Sequence, residues 1–409
     1  MPELCIRNAN LLDIASGAMR ANRSVIVSGD HIETILDSSP KWSGDLIDAT
    51  GLYLCPGLID CHVHFFWDPG SSPRITYLES DDETKQGWAT RNARIAIETG
   101  ITTMRDCAAP AALMFAFQRQ VERREILGPH IISCGHALMR VKGHCHFMGG
   151  EVSTVEDVRR MVEWHLEQGA GFVKLMASGG GLTPGTVPHE ADLPLELMQA
   201  ASELAHANGV QITAHCHATE SIERAIEAGL DMIEHVSFVE PPGRYRYDEG
   251  ITRRILDQGI VVSPTVISAL HTARRFGESG AAHNPKDVAA IERLEGRLTN
   301  TSHFHQLGLR IIGGTDAGAT DTPFDSLIDE VLAYTQAGMS PAEALRTVTS
   351  QSAQFLNLPH LGQIKSGYRA DMILLEGNPL EDLNALRKPL KVFKSGRLVY
   401  QRETLPQAR

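Results

Sequence analysis

The amino-acid sequence predicts an α/β fold, namely a (β/α)8 TIM barrel with a small β-sandwich domain formed by both chain termini. Three observations lead to this prediction. Apolar runs typical of buried strands alternate with amphipathic stretches through the middle of the chain. Glycines suited to ending a helix precede several of these runs. Short strand patterns with turn signals occupy both ends of the chain.

The two chain ends are expected to pair into one small domain. The first part carries strand patterns at Leu4–Ile6, Ser24–Ser28 and His31–Ile35. The last part carries them at Met372–Leu375, Lys391–Lys394 and Leu398–Tyr400. We therefore predict a β domain made of residues 1–56 with 360–409, and a catalytic (β/α)8 barrel made of residues 57–359.

The barrel is predicted from eight strands, each followed by a helix, a repeat that favours a closed barrel over an open sheet. The predicted strands are Leu58–His64, Thr102–Asp106, His130–Cys134, Phe172–Met176, Gln211–Cys216, Met232–His235, Val261–Pro264 and Arg310–Gly313. Apolar residues at helical spacing predict the helices Val155–Gln168, Leu195–Asn208 and Ser221–Ala228. Capping glycines are expected at Gly100, Gly169, Gly209, Gly229, Gly259 and Gly308.

The bulk composition narrows the class of partner. The formal net charge of −12 argues against nucleic acid, because phosphate binding needs a basic surface. The chain has no apolar run long enough to cross a membrane, and its start lacks the features of a secretory signal. The seven cysteines have no framework spacing, which is typical of reduced thiols. We expect a cytoplasmic protein that acts on a small molecule without a nucleic-acid or membrane partner.

Two histidines stand one residue apart in Cys61-His62-Val63-His64, at the end of the first barrel strand. Alternate side chains of a strand share a face, so both rings can point at one ion. Lys174 lies in an apolar run, where an unpaired ammonium is costly to bury. Burial lowers the pKa of a lysine, so one interpretation of Lys174 is a neutral general base.

Further candidates lie at the carboxyl ends of other predicted strands, where TIM barrels carry their chemistry. They are His215, His235 and, after the eighth strand, Asp316. Together with His62 and His64 they form a donor set that suits Zn²⁺, or a related ion such as Mn²⁺, Fe²⁺ or Co²⁺.

Several segments resemble one enzyme superfamily. Residues Pro56-Gly57-Leu58-Ile59-Asp60-Cys61-His62-Val63-His64 resemble the opening signature of the amidohydrolase superfamily, and the contexts of the other four residues resemble its binuclear members. Lys142-Gly143-His144-Cys145-His146 and Gly179-Gly180-Gly181 resemble loops of the Xaa-Pro dipeptidase (prolidase-like) branch, which includes ochratoxinase-type amidases. Cys145 stands where that branch usually has glycine.

The resemblance implies two divalent metal ions, with zinc as the expected ion. It assigns His62, His64 and Asp316 to the first ion, His215 and His235 to the second, and a carbamate on carboxylated Lys174 as the bridge. A metal-activated hydroxide would attack the carbonyl, and Asp316 would carry the proton to the departing nitrogen. His217 shares the face of His215 and is the alternative ligand, although the twenty-residue spacing to His235 resembles the branch and favours His215.

Substrate contacts are expected from the loops that follow the strands. His144 is the candidate that hydrogen-bonds the scissile carbonyl or its oxyanion, which makes it both catalytic and substrate-binding. His146, His217, Arg140 and Tyr245 are further substrate-binding candidates, and an arginine suits capture of a carboxylate. The three glycines after the lysine strand let backbone approach a substrate or let a loop move, with a simple flexible connection as the alternative. Arg105 is expected to form a structural ion pair.

The sequence thus predicts a metal-dependent amidase or peptidase that cleaves dipeptides or N-acyl amino acids with a free carboxylate. The alternative within enzymes is hydrolysis of a cyclic amide, carbamate, urea or aminated ring. A non-catalytic scaffold is disfavoured because its signature would be lost ligands, and all six are present. The resemblance also implies a homo-oligomer.

Overall fold

The computed structural model describes residues 4–278 and 285–403, so residues 1–3 and 404–409 of the predicted β domain lie outside the described residues. The strands in chain order are β1 Leu4–Asp13, β2 Ala18–Ser28, β3 His31–Leu36, β4 Asp45–Asp48, β5 Tyr53–Pro56, β6 Leu58–Val63, β7 Ile101–Asp106, β8 His130–Ser133, β9 Met139–Arg140, β10 Glu151–Val152, β11 Phe172–Met176, β12 Gln211–Ala218, β13 Met232–Glu240, β14 Arg244–Tyr245, β15 Val261–Ser263, β16 Met372–Leu375, β17 Lys391–Lys394 and β18 Arg397–Gln401. The helices are α1 Pro73–Glu79, α2 Asp82–Glu98, α3 Ala111–Glu122, α4 Val155–Gln168, α5 Leu195–Ala207, α6 Thr219–Glu227, α7 Glu249–Asp257, α8 Val266–Glu278, α9 Pro285–Leu307, α10 Leu327–Gln336, α11 Pro341–Thr347 and α12 Ser350–Phe355.

Strands from both chain ends share one mixed sheet. Its order is β18-β17-β16-β5-β1-β2-β3, and β4 pairs with β1. The strands predicted to form the small β domain are joined in a single hydrogen-bonded path. The joint is β5, which runs parallel to β1 on one side and antiparallel to β16 on the other. The strands of this sheet supply a buried apolar cluster of their own, which includes Ile6, Leu54 and Met372.

The middle of the chain forms parallel strands linked by helices. One set pairs in the order β6-β7-β8, and the other contains β11-β12-β13 with β15 beside β13. A parallel bridge between Leu138 and Leu175 links the segment after β8 to β11. Because parallel strands present their carboxyl ends at one edge, the segments after β6, β11, β12 and β13 lie on the same side of the protein.

The predicted eighth strand is the main departure from the sequence prediction. Arg310–Gly313 was expected to be a strand, but only Ile311 forms a bridge, with Val262 of β15. Gly313 and Gly314 follow at once and shorten the extended segment, because glycine disfavours strands. The segment still bonds on both sides, through Ile312 N to Val262 O at 3.0 Å and Cys61 N to Gly313 O at 2.9 Å.

The helix ends follow their local sequence signals. In α4 the side chains of Thr154 and Asp157 form a capping box at the start, and Gly169 ends the helix with a φ of 100°. The other predicted capping glycines also have positive φ, which is the left-handed conformation that glycine adopts without strain: Gly100, Gly209, Gly229, Gly259 and Gly308.

The interior is apolar and holds every cysteine. All seven cysteines are buried and free, which agrees with the predicted absence of a disulfide framework. Within the described ranges, no helix combines the length and the apolar character needed to cross a membrane.

Candidate metal centre

His62 of β6 and His64, directly after it, lie close to Asp316, which follows the eighth segment. His62 Nε2 lies 3.4 Å, and His64 Nε2 3.1 Å, from Asp316 Oδ1. The other nitrogen of His64, Nδ1, lies 3.2 Å from the carbonyl oxygen of Ala108. With its proton on Nδ1, His64 donates to this carbonyl and presents the Nε2 lone pair to a metal. The three side chains form one donor group.

Asp316 is held in place by the backbone and by a buried carboxylate. Its φ of 64° is unusual for a residue other than glycine, and its N–H donates to His62 O at 2.8 Å. Asp60 accepts from Thr315 Oγ1 at 2.7 Å and from His62 N at 3.2 Å, so it ties β6 to the aspartate loop. A side chain at Gly314 would place its Cβ 2.7 Å from the Cβ of His62, so this close approach requires glycine.

A second group consists of His215 and His217 of β12 with His235 of β13. The ring centroids of His215 and His235 are 4.5 Å apart, and those of His217 and His235 are 4.7 Å apart. His235 Nδ1 lies 2.6 Å from Thr265 Oγ1, and that hydroxyl donates to Pro264 O, so it accepts from the histidine and leaves Nε2 free. The geometry brings both ligand candidates of β12 into this group.

The two groups adjoin, because the ring centroids of His62 and His235 are 5.2 Å apart. Burial lowers the pKa values of His62, His215, His217 and His235, and neighbouring positive charges lower them further. Neutral imidazole is the form that ligates metals. His62 Nδ1 is buried and has no hydrogen-bond partner among the described residues. This donor set of neutral nitrogens and a carboxylate fits a divalent ion in each group.

Lys174 of β11 is fully buried, and burial lowers the pKa of its amine. Its Nζ contacts Glu234 of β13, and the other oxygen of that carboxylate accepts from Arg105 Nη2 at 2.7 Å. The expected ion pair of Arg105 is thereby confirmed. Glu234 also lies near His62, with 3.7 Å between Oε2 and Nδ1, so it joins the lysine to the first donor group.

A small cavity of about 40 Å³ lies beside the first group and His215 of the second. It is lined by His62, His64, Trp67, His144, Cys145, Met148, Lys174, Met176, Leu182, His215, Asp316 and Ala319. A cavity of this size has room for ions and a few water-sized groups. Five of the six predicted metal-site residues therefore reach one space, and His235 adjoins it through His62 and His215.

His144 covers this space from the loop between β9 and β10. Its ring stacks on His215, with centroids 5.0 Å apart, and burial lowers the pKa of His144 to about 4. A Cβ at Gly180 would lie 2.5 Å from His144 Nε2, so this glycine makes room for the ring. Cys145 has a φ of 61°, a conformation that glycine adopts more easily, and Thr183 Oγ1 accepts from its N–H at 2.8 Å.

The other predicted substrate contacts lie outside the cavity lining. His146 Nδ1 lies 3.0 Å from Gly143 O and so bonds its own loop. Arg140 is paired with Asp192 at 3.1 Å. Tyr245 lies on β14, and a Cβ at Gly296 would be 3.0 Å from its ring. The structure therefore brings His144 and His217 to the centre, but it does not bring His146 or Arg140 there.

Four residues around the centre were missed by the sequence reasoning: Asp60, Glu234, Thr265 and Arg297. Glu234 had a signal, because it is a charged residue in an apolar run directly before His235. No feature of the sequence marked Thr265 or Arg297, because a threonine in a loop and an arginine in a helix are common.

Comparisons with known proteins agree with this geometry. Residues 53–399 match the amidohydrolase family. Ochratoxinase of Aspergillus niger is 29% identical over 382 residues, which is 84% of this chain and 75% of that protein. Its crystal structure superposes with a TM-score of 0.82 at 25% identity, over 97% of this chain and 95% of that one. A Xaa-Pro dipeptidase with methionine bound in its active site superposes with a TM-score of 0.87 at 24% identity, over 97% and 99% of the two chains. The resemblance to this branch is confirmed.

Proposed function

This chain belongs to the amidohydrolase family, and from that premise we propose that it is a metal-dependent hydrolase that cleaves the amide bond of dipeptides or N-acyl amino acids. One observation carries the proposal: His62 and His64 from β6 and its end, Lys174 of β11, His215 of β12 and Asp316 of the loop after the eighth segment line one cavity. Residues so far apart in sequence have no common packing reason to converge there, whereas metal binding requires it.

We propose that His62, His64 and Asp316 hold one divalent ion and that His215 and His235 hold a second, with zinc as the expected metal. His217 remains the alternative to His215. Bound ions of this kind supply Lewis acidity, which polarises a carbonyl and lowers the pKa of water to about 7.

Lys174 is proposed to carry a carbamate that bridges the ions. Its buried amine has a lowered pKa, and the neutral amine is the nucleophile that attacks CO₂. The nitrogen–carbon bond forms as one carbon–oxygen π bond of CO₂ opens, and the nitrogen releases one proton to water, so the neutral amine becomes an anion with two oxygen donors. This exchange supplies the reason for burying a lysine beside five metal-ligand candidates.

Two side chains are proposed to handle the reacting amide. Asp316 faces the cavity and accepts the proton of the attacking water, which it then delivers to the departing nitrogen. His144 is neutral, because burial holds its pKa near 4, so its ring can donate a hydrogen bond to the oxyanion of the substrate. The Nδ1 atom of His144 has no partner among the described residues.

The architecture around the site is proposed to be a closed (β/α)8 barrel. Parallel bridges from Val63 to Ala317 and from Val262 to Ile311 support this, because they bond the eighth segment to both of its neighbours. The domain boundaries predicted from the sequence are retained as part of the proposal. A cytoplasmic location is proposed as well and fits seven buried free thiols.

A substrate panel with metal analysis tests the function. Purified protein should contain divalent metal and hydrolyse at least one dipeptide or N-acyl amino acid; a chelator should abolish the activity, and Zn²⁺ should restore it. Turnover of cyclic ureas or aminated rings alone would favour the alternative reaction class. Less than one metal per chain with no turnover on any amide would support a non-catalytic scaffold.

A further inference from the structure

We propose that Arg297 of α9 is the cation that binds the free carboxylate of the substrate. The inference rests on the proposed function and deepens it, because it assigns the recognition of the amino-acid end to one residue. Arg140, one of the substrate-binding candidates from the sequence, is already paired with Asp192.

Helix α9 is docked against the ends of two strands that carry the site. Asn300 Nδ2 donates to Val236 O at 3.2 Å, directly after His235. Arg297 Nη1 donates to Thr265 O and, at 2.6 Å, to Ser268 Oγ, in the segment after β15. These bonds fix the guanidinium at the carboxyl ends of β13 and β15, which is the side where the metal-site histidines lie.

One hydroxyl joins this arginine to the metal centre. Thr265 Oγ1 lies 2.6 Å from His235 Nδ1 and 3.3 Å from Arg297 Nη1. The guanidinium is therefore two hydrogen bonds from a proposed metal ligand. The carboxylate of an amino acid is separated from the scissile nitrogen by the α-carbon alone, so a group at this distance from the centre can reach it. The charge of Arg297 also contributes to the lowered pKa values of His62, His217 and His235.

The guanidinium is buried without a carboxylate partner among the described residues. Arg297 is 4% exposed, and its Nε has no hydrogen-bond partner there. The nearby buried carboxylate of Glu330 is already used, because its two oxygens accept from Val266 N at 2.9 Å and Ile267 N at 2.7 Å. Glu330 and Asp316 act on the guanidinium electrostatically, but no described carboxylate is hydrogen-bonded to it. A buried donor without an acceptor costs about 1 to 3 kcal/mol, which indicates that the acceptor arrives with a ligand.

The edge of the guanidinium without hydrogen-bond partners suits a carboxylate. Nη1 makes all of the hydrogen bonds of Arg297 to described residues, which leaves the edge formed by Nε and Nη2. That edge offers two parallel N–H donors, the geometry that binds a carboxylate through both oxygens. Tyr245, predicted as a substrate contact, lies beside the neighbouring Gly296, since a Cβ there would be 3.0 Å from its ring.

The test compares a substrate that has the carboxylate with one that lacks it. The probes are the N-acetyl amino acid that the wild-type enzyme hydrolyses fastest and its primary amide, both assayed at the N-acetyl bond. Arg297→Gln should lower kcat/KM for the acid by about 10- to 100-fold, mainly through KM, with less than about a threefold change for the amide. Arg297→Lys should lie between, because it keeps the charge but loses the planar fork. Arg253→Gln, which removes a guanidinium bound to Glu249 on the surface of α7, is the matched control and should match wild type.

Metal content and thermal unfolding of each variant separate binding from structure. Unchanged metal content with selective loss on the acid supports the inference. Equal losses on both probes, or a loss of metal in both Arg297 variants, would show that Arg297 only positions His235 through Thr265 and would overturn it. Unchanged activity of Arg297→Gln on the acid would overturn it too. A wild-type enzyme that hydrolyses no N-acyl amino acid or dipeptide would instead refute the proposed function.

Discussion

The chemistry of individual residues in this protein is set mainly by burial. Removal from water disfavours charge, so the buried histidines are neutral at pH 7 and the pKa of Lys174 is lowered. Neutral imidazole and neutral amine are the reactive forms, the first toward metals and the second toward CO₂. Burial therefore favours the reactive form of both the histidine imidazoles and the lysine amine.

The first prediction concerns His62. His62→Ala removes a donor from the group with His64 and Asp316, and we expect activity to fall at least about 100-fold, because one imidazole cannot be replaced by water without loss of metal. Assays and metal analysis measure this, and circular dichroism should show a retained fold. His206→Ala is the control, since His206 pairs with Asp231 on the surface. Full activity in His62→Ala would mean that the proposed ligand set is wrong.

The second prediction concerns the bridging role of Lys174. Lys174→Ala should lower metal content and activity, and short-chain carboxylates such as acetate or propionate should restore part of both, because they can occupy the space of the carbamate. Lys365→Ala is the control, since Lys365 lies over the ring of Tyr368 away from the cavity. Normal metal loading in Lys174→Ala would contradict a bridging carbamate.

At the scale of elements, the loops after β9 and β11 act as one unit. The ring of His144 lies where a side chain at position 180 would be, and Thr183 bonds the backbone of Cys145. Gly180 is thus required by the close packing of the two loops, whereas the space beside Gly181 would accept a larger residue.

The third prediction uses this difference between neighbouring glycines. Gly180→Ala puts a methyl group 2.5 Å from His144 Nε2 and should displace the ring, so we expect kcat to fall about 10- to 100-fold with unchanged metal content. Gly181→Ala should have little effect, because nothing lies within 4 Å of the added carbon. Steady-state kinetics with metal analysis check both variants. Equal activity of the two variants would contradict a role of His144 in the catalytic step.

The strand ends that carry the site depart from regular geometry. His235, Val236 and Phe238 have φ values of 68°, 43° and 52°, which are unusual for such residues. Asn300 of α9 binds the backbone of Val236 and Ser237, so a helix distant in sequence stabilises the strained segment. Strain of this kind persists only where the surrounding structure enforces it, and it is concentrated at functional sites.

At the scale of the whole molecule, buried titratable groups link stability to pH in two directions. Burial holds the pKa of His144 near 4 and that of His165 near 3, below the value of about 6.5 in an unfolded chain. As pH falls below about 6.5 the unfolded state binds protons that the folded state does not, so these groups destabilise the fold. Burial raises the pKa of Asp60 and Glu330 to about 7, and they bind protons in the folded state first, which has the opposite sign.

The fourth prediction concerns the net change in the free energy of unfolding on acidification. The buried histidines contribute more to this change than the buried acids with raised pKa, because they are more numerous. Metal-free protein should lose about 2 to 4 kcal/mol of unfolding free energy between pH 6.5 and pH 5, measured by urea denaturation in the presence of a chelator. Metal-loaded protein should release its metal over the same range, because protons compete for the imidazoles. An unfolding free energy that stays constant or rises on acidification would contradict the prediction.

Much of the fold and of the centre was predictable because the signals are local. The alternation of side chains along a strand predicted that His62 and His64 share one face. The apolar runs predicted β11, β16 and β17 with the same bounds that the structure has. The prediction of the eighth strand was wrong, because this segment pairs with β15 through one bridge only. That bridge depends on the position of Val262 and not on the sequence pattern of the segment.

By itself, the sequence determined which residues can ligate a metal and which strands deliver them, because strand periodicity and side-chain chemistry act over a few neighbouring residues. Only the tertiary structure decided which charges are paired. Glu234 is paired with Arg105 and Lys174, and Asp192 is paired with Arg140. Arg297 makes no ion pair with a carboxylate of the described residues, and its Nε has no hydrogen-bond partner there. Such pairings join residues from distant parts of the chain, and the free energy that selects them arises only when packing removes both groups from water.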